Sequence, residues 1–317
     1  GQYWHFATMA LASNAQWERR LCMFPTYFDD DGLMYSTTDY GDYPRFGANH
    51  PTKAGQHNGW MLLSYKGDVT VSSSLKQVMK FMSNDDEVEV NELPLQKNED
   101  GQITSIVLTD ENPKTFWVAE ANNDKQWLTI EMKNAGSIKA LQLNFHDYES
   151  GIYTRVEDLK HRFTIETSEN GTTWHTVVDR SKSDKDAPNA YIVLDQPVTA
   201  KYVRYNNIEV PGNNFAMSEI RVFGLGLGNK PEQVSGFKIK RETDRRDASF
   251  SWKPVEGAQG YNIRWGIAKD KLYQSWQVYD TDSHFMRCLD RDTPYYFTIE
   301  AFNENGISAL SNIQYIK

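Results

Sequence analysis

Hydrophobic and polar residues alternate with a period of two along much of the chain. The alternation is clearest in residues 138–145, 163–168, 202–206 and 295–302. A period of two sends successive side chains to opposite faces of a β-strand, whereas an amphipathic helix requires a period of about 3.6 residues. The pattern therefore predicts an all-β protein.

Short polar turns separate these strand-like segments. Asp31-Gly32, Asn170-Gly171 and Asn305-Gly306 each lie between two such segments. An Asn or Asp followed by Gly supplies the positive φ angles that tight β-hairpin turns require. We therefore expect most neighbouring strands to pair in the antiparallel direction.

Two stretches without a sustained hydrophobic pattern divide the chain. The first, 43–58, contains several prolines and glycines, and the second, 224–231, is glycine-rich and ends in proline. Such stretches predict linkers between domains. The resulting segments are 1–58, 59–228 and 229–317. A polar stretch, 83–101, interrupts the middle segment and is predicted to form an acidic surface loop.

Composition narrows the class of protein. The 317 residues are 39% hydrophobic and 24% charged, which is typical of a globular protein. No uninterrupted apolar run approaches the roughly 18 residues that span a membrane. The net charge of −9, with lysines and arginines scattered singly, argues against a nucleic-acid partner. Cys22 and Cys288 lie in different segments, so no disulfide framework is expected.

The middle segment carries six separated motifs in a recognisable order. They occupy residues 64–74, 110–117, 126–130, 163–174, 201–205 and 216–224. This order and spacing resemble the discoidin domain, also called the coagulation factor five/eight type C domain, which overlaps carbohydrate-binding module family 32. The resemblance implies a jelly-roll β-sandwich. We expect Trp117 and Trp127 to be core residues at one end of that sandwich.

The resemblance also implies a structural calcium ion. Its hard oxygen ligands would be Asp110, Thr115 and Glu219. The sequence departs from the family at the usual Asp-Gly pair, because Glu111 follows Asp110 and the tight turn therefore has no glycine. The alternative is that Asp110 only caps a turn and that Glu219 pairs with a cation.

Two loops of the middle segment contain the residue types that recognise sugars in such domains. An aromatic ring stacks on the C–H face of a sugar, while His, Arg and Asn side chains form hydrogen bonds with its hydroxyl groups. The candidate carbohydrate-binding residues are His146, Tyr148, Tyr153, Arg155, Asn213, Asn214 and Phe215. The alternative is an unspecialised surface, since loops often contain Asn and Tyr.

The last segment is similar to a fibronectin type III domain. Trp252 comes early, the segment 260–266 alternates, and tyrosines open the strand-like run 295–302. The resemblance implies an immunoglobulin-like β-sandwich that acts as a spacer or interaction module. It implies no ligand.

The first segment resembles the closing blade of a glycoside hydrolase family 43 β-propeller. The resemblance is carried by the runs 3–10 and 18–35 and by the tail that follows them. In that family the catalytic carboxylates come from earlier blades, so no catalytic residue is assigned in this chain. Asp29, Asp30 and Asp31 would lie together in a hairpin turn and could not flank a sugar ring. His5 would line an active site or be an ordinary strand residue.

A single propeller blade leaves apolar faces and edges uncovered. We therefore expect the first segment to pack on the middle domain. The resemblance further implies a catalytic domain upstream, and the start at Gly1 is interpreted as a removed signal peptide or as a position within a longer protein.

Three functions are compatible with these observations. The first is a non-catalytic, carbohydrate-binding accessory region of a secreted glycoside hydrolase that binds an oligosaccharide or polysaccharide. The second is a truncated family 43 enzyme of the arabinosidase or xylosidase class, and the third is a structural or adhesive β-sandwich protein. The first is favoured, with export to the periplasm or cell surface of a bacterium.

Overall fold

The computed structural model describes most of the chain. The described residues are 3–10, 19–36, 39–41, 43–46, 57–82, 88–112, 115–146, 148–150, 159–287 and 289–317. Within these ranges the regular structure consists of β-strands, which confirms the prediction of an all-β protein. No helix in this part of the chain is long and apolar enough to cross a membrane.

The chain divides into two compact units. One contains residues 21–61 and 228–317 together with the start of the chain, and the other contains residues 62–227. Among the described residues before 62, only 9–10 and 19–20 group with the second unit. The expectation that the first segment packs on the middle domain is therefore wrong for its described residues between 21 and 58, which group with the last segment.

The 62–227 unit is a β-sandwich. Its strands belong to a 12-stranded sheet. They are β4 (Met61–Leu62), β5 (Asp68–Val71), β6 (Lys76–Met82), β7 (Val88–Glu92), β8 (Gln96–Lys97), β9 (Ile103–Thr104), β10 (Phe116–Val118), β11 (Trp127–Phe145), β12 (Arg162–Ser168), β13 (His175–Asp179), β14 (Asn189–Glu209) and β15 (Ala216–Gly226). The continuous order is β13-β12-β14-β11-β15-β10-β6-β7.

The two longest strands, β11 and β14, organise this sandwich. They pair antiparallel along most of their length, with an irregularity between Glu131 and Gly136. Before the irregularity β11 also pairs with β5, and after it with β15. Irregular registers bend strands, so that one strand can contribute to both layers of a sandwich. The core between the layers is apolar and includes Trp117, as expected, whereas Trp127 is only half-buried.

The other unit contains three sheets. Strands β1 (Tyr3–Ala10), β2 (Arg19–Phe28) and β3 (Met34–Ser36) form the first. The second has the order β16-β17-β20, and the third has the order β19-β18-β21-β22 with β23 beside β21. These strands are β16 (Lys238–Arg241), β17 (Ala248–Ser251), β18 (Gly260–Gly266), β19 (Gln274–Tyr279), β20 (Ser283–Met286), β21 (Tyr295–Asn303), β22 (Gly306–Ile307) and β23 (Gln314–Ile316).

The second and third sheets enclose a separate apolar core. Trp252, Ile263 and Phe297 are among its buried residues. At the start of β21, the hydroxyl oxygen of Tyr295 accepts a hydrogen bond of 3.2 Å from the Asp290 backbone amide. This bond fixes the entry of the chain into the strand.

Candidate functional site

Three loops meet in the 62–227 unit, at 119–126, 146–150 and 210–215. Asn122 connects two of them, because its Oδ1 accepts a hydrogen bond from the Val210 amide at 3.1 Å and its Nδ2 donates to the Gly212 carbonyl at 2.8 Å. Gly212 has a φ of 96°, and a Cβ atom at this position would lie 3.2 Å from the Cα of Ser150. The loops are therefore packed against one another, with hydrogen bonds that hold their backbones.

An aromatic group lies under one side of this loop cluster. The buried His146 ring stacks on Phe116 with a centroid distance of 3.8 Å and an interplanar angle of 8°. Tyr148 is half-buried and its ring lies 6.3 Å from that of Phe116. Burial and the nearby Glu149 raise the pKa of Tyr148, so its hydroxyl stays protonated and can donate a hydrogen bond at neutral pH.

The candidate asparagines lie on the third loop of the cluster. Asn213 is exposed, while the Asn214 Nδ2 donates a hydrogen bond of 3.0 Å to the Ala119 carbonyl. Asn213 therefore presents its side-chain amide at the surface, and Asn214 ties its loop to the 119–126 loop. Asn122 was not predicted from the sequence, although its position in the polar turn between Trp117 and Trp127 is the signal that could have identified it.

Phe215 is not an exposed platform. Its side chain is 0% exposed, stacks on Tyr205 at 5.0 Å and meets the edge of Trp117 at 5.2 Å. The residue directly precedes β15, where nearly every side chain is buried, so its ring belongs to the core. His146 is likewise buried, and its ring packs on Phe116 beneath the 146–150 loop. Tyr153 and Arg155 lie outside the described residues.

The structure brings two of the three expected metal ligands together. The Thr115 hydroxyl donates to the Asp110 carboxylate, with distances of 3.1 and 2.9 Å to its two oxygens. The third residue, Glu219, accepts a hydrogen bond of 2.8 Å from the Asn144 side chain. The amide of Ile220, which follows Glu219, donates to the Leu108 carbonyl at 3.0 Å. Strand β15 therefore runs beside the turn that contains Asp110.

The turn at Asp110 contains a buried carboxyl group, which is a candidate ligand for a hard cation. Burial raises the pKa of Asp110 to about 7, and the neighbouring Glu111 adds to this effect, against the hydrogen bonds from Asn112 and Thr115. A buried carboxylate of this kind would be stabilised in its charged form by a cation with oxygen ligands. Within the described ranges, no group of three or more His, Cys, Asp or Glu side chains is close enough to hold a metal. A metal held by Asp110 and Glu219 would therefore need hydroxyl and carbonyl oxygens as its remaining ligands.

Glu111 stands where the resemblance to the discoidin domain implies a glycine, and its backbone adopts a conformation that glycine favours. Its φ is 59°, in the left-handed region. Its carboxylate forms a bidentate pair with the buried Arg221, with distances of 2.9 Å to Nε and 2.8 Å to Nη2. Arg221 also donates to Gln142 at 2.9 Å. The ion pair with Arg221 thus offsets the energetic cost of the left-handed backbone at Glu111.

The acidic residues of the first segment stabilise a turn. Asp29 accepts hydrogen bonds from the amides of Asp31 at 3.0 Å and Leu33 at 2.8 Å. Although desolvation opposes it, the Leu33 amide and Lys271 lower the pKa of Asp29 to about 2. A carboxylate with so low a pKa is a poor general acid or base near neutral pH. His5 is exposed.

One comparison with known proteins identifies the domain in the 62–227 unit. Residues 95–220 match the F5/8 type C domain. The match covers less than half of the chain, and it confirms the interpretation of the middle segment. The loops 119–126, 146–150 and 210–215 all lie within this F5/8 type C domain. No curated protein matches the chain.

Solved structures resemble parts of the chain. Chitosan-binding module 1 of a Paenibacillus sp. IK-5 chitosanase/glucanase is 20% identical, with 52% of this chain and 99% of that chain covered and a TM-score of 0.35. The family 32 carbohydrate-binding module of Clostridium perfringens NanJ, solved with galactose, is 12% identical, with 52% and 98% covered and a TM-score of 0.35. A glycoside hydrolase is 16% identical, with 70% and 43% covered and a TM-score of 0.34.

Proposed function

We propose that the F5/8 type C domain binds a glycan at the three-loop cluster. The observation that carries the proposal is the arrangement of Tyr148, Asn213 and Asn214 on adjoining loops. Asn122 fixes the loop of the two asparagines, and Gly212 of that loop packs against Ser150 of the loop that carries Tyr148. Tyr153 and Arg155 belong to the proposed site on the sequence pattern alone. His146 takes part as the support beneath Tyr148, and Phe215 as a core residue behind the site.

The proposed recognition uses one flat ring and neighbouring amides. The half-buried Tyr148 would stack on the C–H face of a sugar ring, which offsets the cost of drying the site. The Asn213 amide would pair with hydroxyl groups, since it both donates and accepts hydrogen bonds. Loops that are already hydrogen-bonded lose little conformational entropy on binding, and this favours affinity.

The proposed role of the whole chain is that of a non-catalytic accessory region. It would direct a secreted, family 43-type glycoside hydrolase of a bacterial periplasm or cell surface to a polysaccharide, and the last segment would be a fibronectin type III module. The β1–β3 sheet supports a further domain as partner, because Tyr3, Phe6 and Met34 are 63%, 59% and 64% exposed. Tyr3 and Phe6 are three residues apart on β1, so apolar side chains are exposed on both faces of the sheet, as expected where a further domain covers it. The upstream catalytic domain is the proposed partner.

Isothermal titration of the full chain with plant-type and host-type oligosaccharides tests glycan binding. We expect Tyr148→Ala to weaken binding about tenfold, as the loss of a ring contact of about 1.4 kcal/mol would. We expect Asn213→Ala to weaken it about fivefold, as the loss of one hydrogen bond would. The matched controls are Tyr191→Ala and Gln196→Ala, which alter exposed residues of β14 outside the loop cluster.

Two outcomes would contradict the proposal. Equal affinities of the Tyr148→Ala variant and its control would remove the loop cluster as the site, and an absence of heat with every sugar would favour a structural or adhesive role. Release of nitrophenol from arabinoside or xyloside substrates, abolished by changing one acidic residue, would instead show an enzyme.

A further inference from the structure

The third sheet of the second core has a polar outer face that is buried. On β18 the apolar Tyr261, Ile263 and Trp265 face the core, so Asn262 and Arg264 face the other way. Every residue of β18 is nonetheless buried, including Arg264 at 5% exposure. Arginine is almost never buried unless its charge is paired. Something in the chain must therefore cover this face and supply the partner.

The partner is a segment from the first part of the chain, the described residues 39–41 and 43–46, here called the docked segment. The Arg264 guanidinium lies between two carboxylates, with its Nη2 2.8 Å from Asp39 of the docked segment and 2.8 Å from Glu300 of β21. Asp39 and Glu300 are both buried. This arrangement holds the charge of Arg264 in place and raises its pKa further, against the effect of desolvation.

Aromatic residues of the docked segment complete the contact. Tyr40 is 0% exposed, donates a hydrogen bond of 2.8 Å to Glu300 and packs edge-on against Phe302 at 5.4 Å. The hydroxyls of Tyr43 and Tyr279 lie 2.8 Å apart. Tyr40 has a φ of 61°, which only a strongly determined environment maintains in a tyrosine.

A second contact joins the preceding hairpin to the same module. The Tyr35 ring stacks on Tyr273 at a centroid distance of 3.6 Å and an angle of 5°. The carboxylate of Asp29 accepts a hydrogen bond of 2.9 Å from Tyr273 and lies 3.0 Å from the Lys271 ammonium. The first contact involves β18 and β21, the second involves the connection between β18 and β19, and the two are separated along the first segment.

We infer that the face formed by Arg264, Asn262 and Glu300 is a specific binding surface for the docked segment of the same chain. The last segment is therefore not an independent module at the end of a flexible linker. It recognises a segment that precedes the F5/8 type C domain, and both ends of that domain are attached to one unit. The recognition depends on a buried charge pair flanked by tyrosines.

Cleavage of the full chain tests this inference. A protease site inserted between Leu227 and Gly228 lies in an exposed position, since Leu227 is 65% exposed. After cleavage, we expect residues 228–317 to remain bound to the N-terminal fragment through gel filtration. Arg264→Met should weaken this association at least about thirtyfold, because it removes one partner of a buried, hydrogen-bonded charge pair. Arg246→Met, which alters an exposed ion pair of the same module, is the control.

A second variant leaves the last segment unchanged. Combined Asp39→Ser and Tyr40→Ala substitutions remove the partner groups from the docked segment only and leave the Tyr35–Tyr273 contact intact. They should weaken retention of the 228–317 fragment even if Arg264→Met impairs folding. Elution of the unaltered 228–317 fragment by itself, or equal retention of the unaltered and the Asp39→Ser, Tyr40→Ala proteins, would overturn the inference.

Discussion

The carboxyl group of Asp110 has a pKa of about 7, raised mainly by burial. In the folded protein it keeps a proton that the unfolded chain loses near pH 4, so the stability it contributes is complete below pH 4 and is lost as pH rises to 7. A shift of about three units corresponds to at most about 4 kcal/mol. Asp110→Asn removes this titration.

We therefore compare the change in the free energy of unfolding that Asp110→Asn causes at two pH values. We expect this change to be more favourable to the folded state at pH 7.5 than at pH 4.5. Urea denaturation of the variant and the unaltered protein, in the presence of a chelator at both pH values, measures these free energies. His161, whose pKa burial lowers to about 4, titrates in the same window with the opposite sign, so only the difference between variant and unaltered protein isolates Asp110. An equal effect at both pH values would contradict the expectation.

A calcium ion at Asp110, Thr115 and Glu219 would reverse the effect of pH on this turn. The ion binds the charged carboxylate, so millimolar calcium should raise the melting temperature of the unaltered protein at pH 7.5 by several degrees. Asp110→Asn should abolish that increase. A melting temperature that calcium and chelator leave identical would count against the proposed metal.

At the scale of a single turn, the backbone strain at Glu111 opposes the stabilisation from its ion pair with Arg221. Glu111→Gly would relieve a left-handed φ, a gain of about 1 kcal/mol, but would leave the buried Arg221 without its bidentate partner, at a cost of about 3–5 kcal/mol. We expect a net loss of stability of about 2–4 kcal/mol in urea denaturation.

The double substitution Glu111→Gly with Arg221→Met provides the control. It removes the Arg221 charge together with the strain, and should recover most of the loss relative to Glu111→Gly. If Glu111→Gly is as stable as the unaltered protein, the ion pair does not compensate the backbone at this turn.

The elements differ in how far the sequence predicts them. The alternation in 163–168 predicts β12 because its inward residues are apolar and its outward residues polar. The same signal does not show that β11 continues for 19 residues, since an irregular register changes the face that each side chain occupies. Local patterns report which residues face a core, and they do not report which strands share it.

The sequence shows which residue types the loop cluster contains, but it does not show which of their side chains are exposed. Asn213 and Phe215 are two positions apart, yet one is exposed and the other is enclosed by Tyr205 and Trp117. Only the tertiary contacts of strand β15 decide this. The docked segment escaped prediction for the same reason, because the partner of Asp39 is Arg264, which lies far along the chain.

At the scale of the whole chain, two compact units with separate cores predict two unfolding transitions. His57 and Asp110 lie in different units, so the pH dependence of each residue identifies the unfolding transition of its own unit. Burial and the neighbouring Arg45 lower the pKa of His57 to about 4. The unfolded chain therefore binds a proton near pH 6.5 that the folded unit binds only near pH 4, and acidification across this window destabilises the unit by up to about 3 kcal/mol.

Calorimetry of the full chain at pH 5 and pH 7.5 tests this assignment. His57→Gln should raise, at pH 5 only, the transition of the unit that contains residues 228–317, whereas Asp110→Asn should move only the other transition. The groups that face His57 are Tyr40, Tyr43, Asp39, Arg45 and Arg264. Because Asp39 favours the protonated form and the two arginines oppose it, Arg45→Gln should also reduce the acid sensitivity. A single transition that both variants shift equally would show that the two cores unfold together.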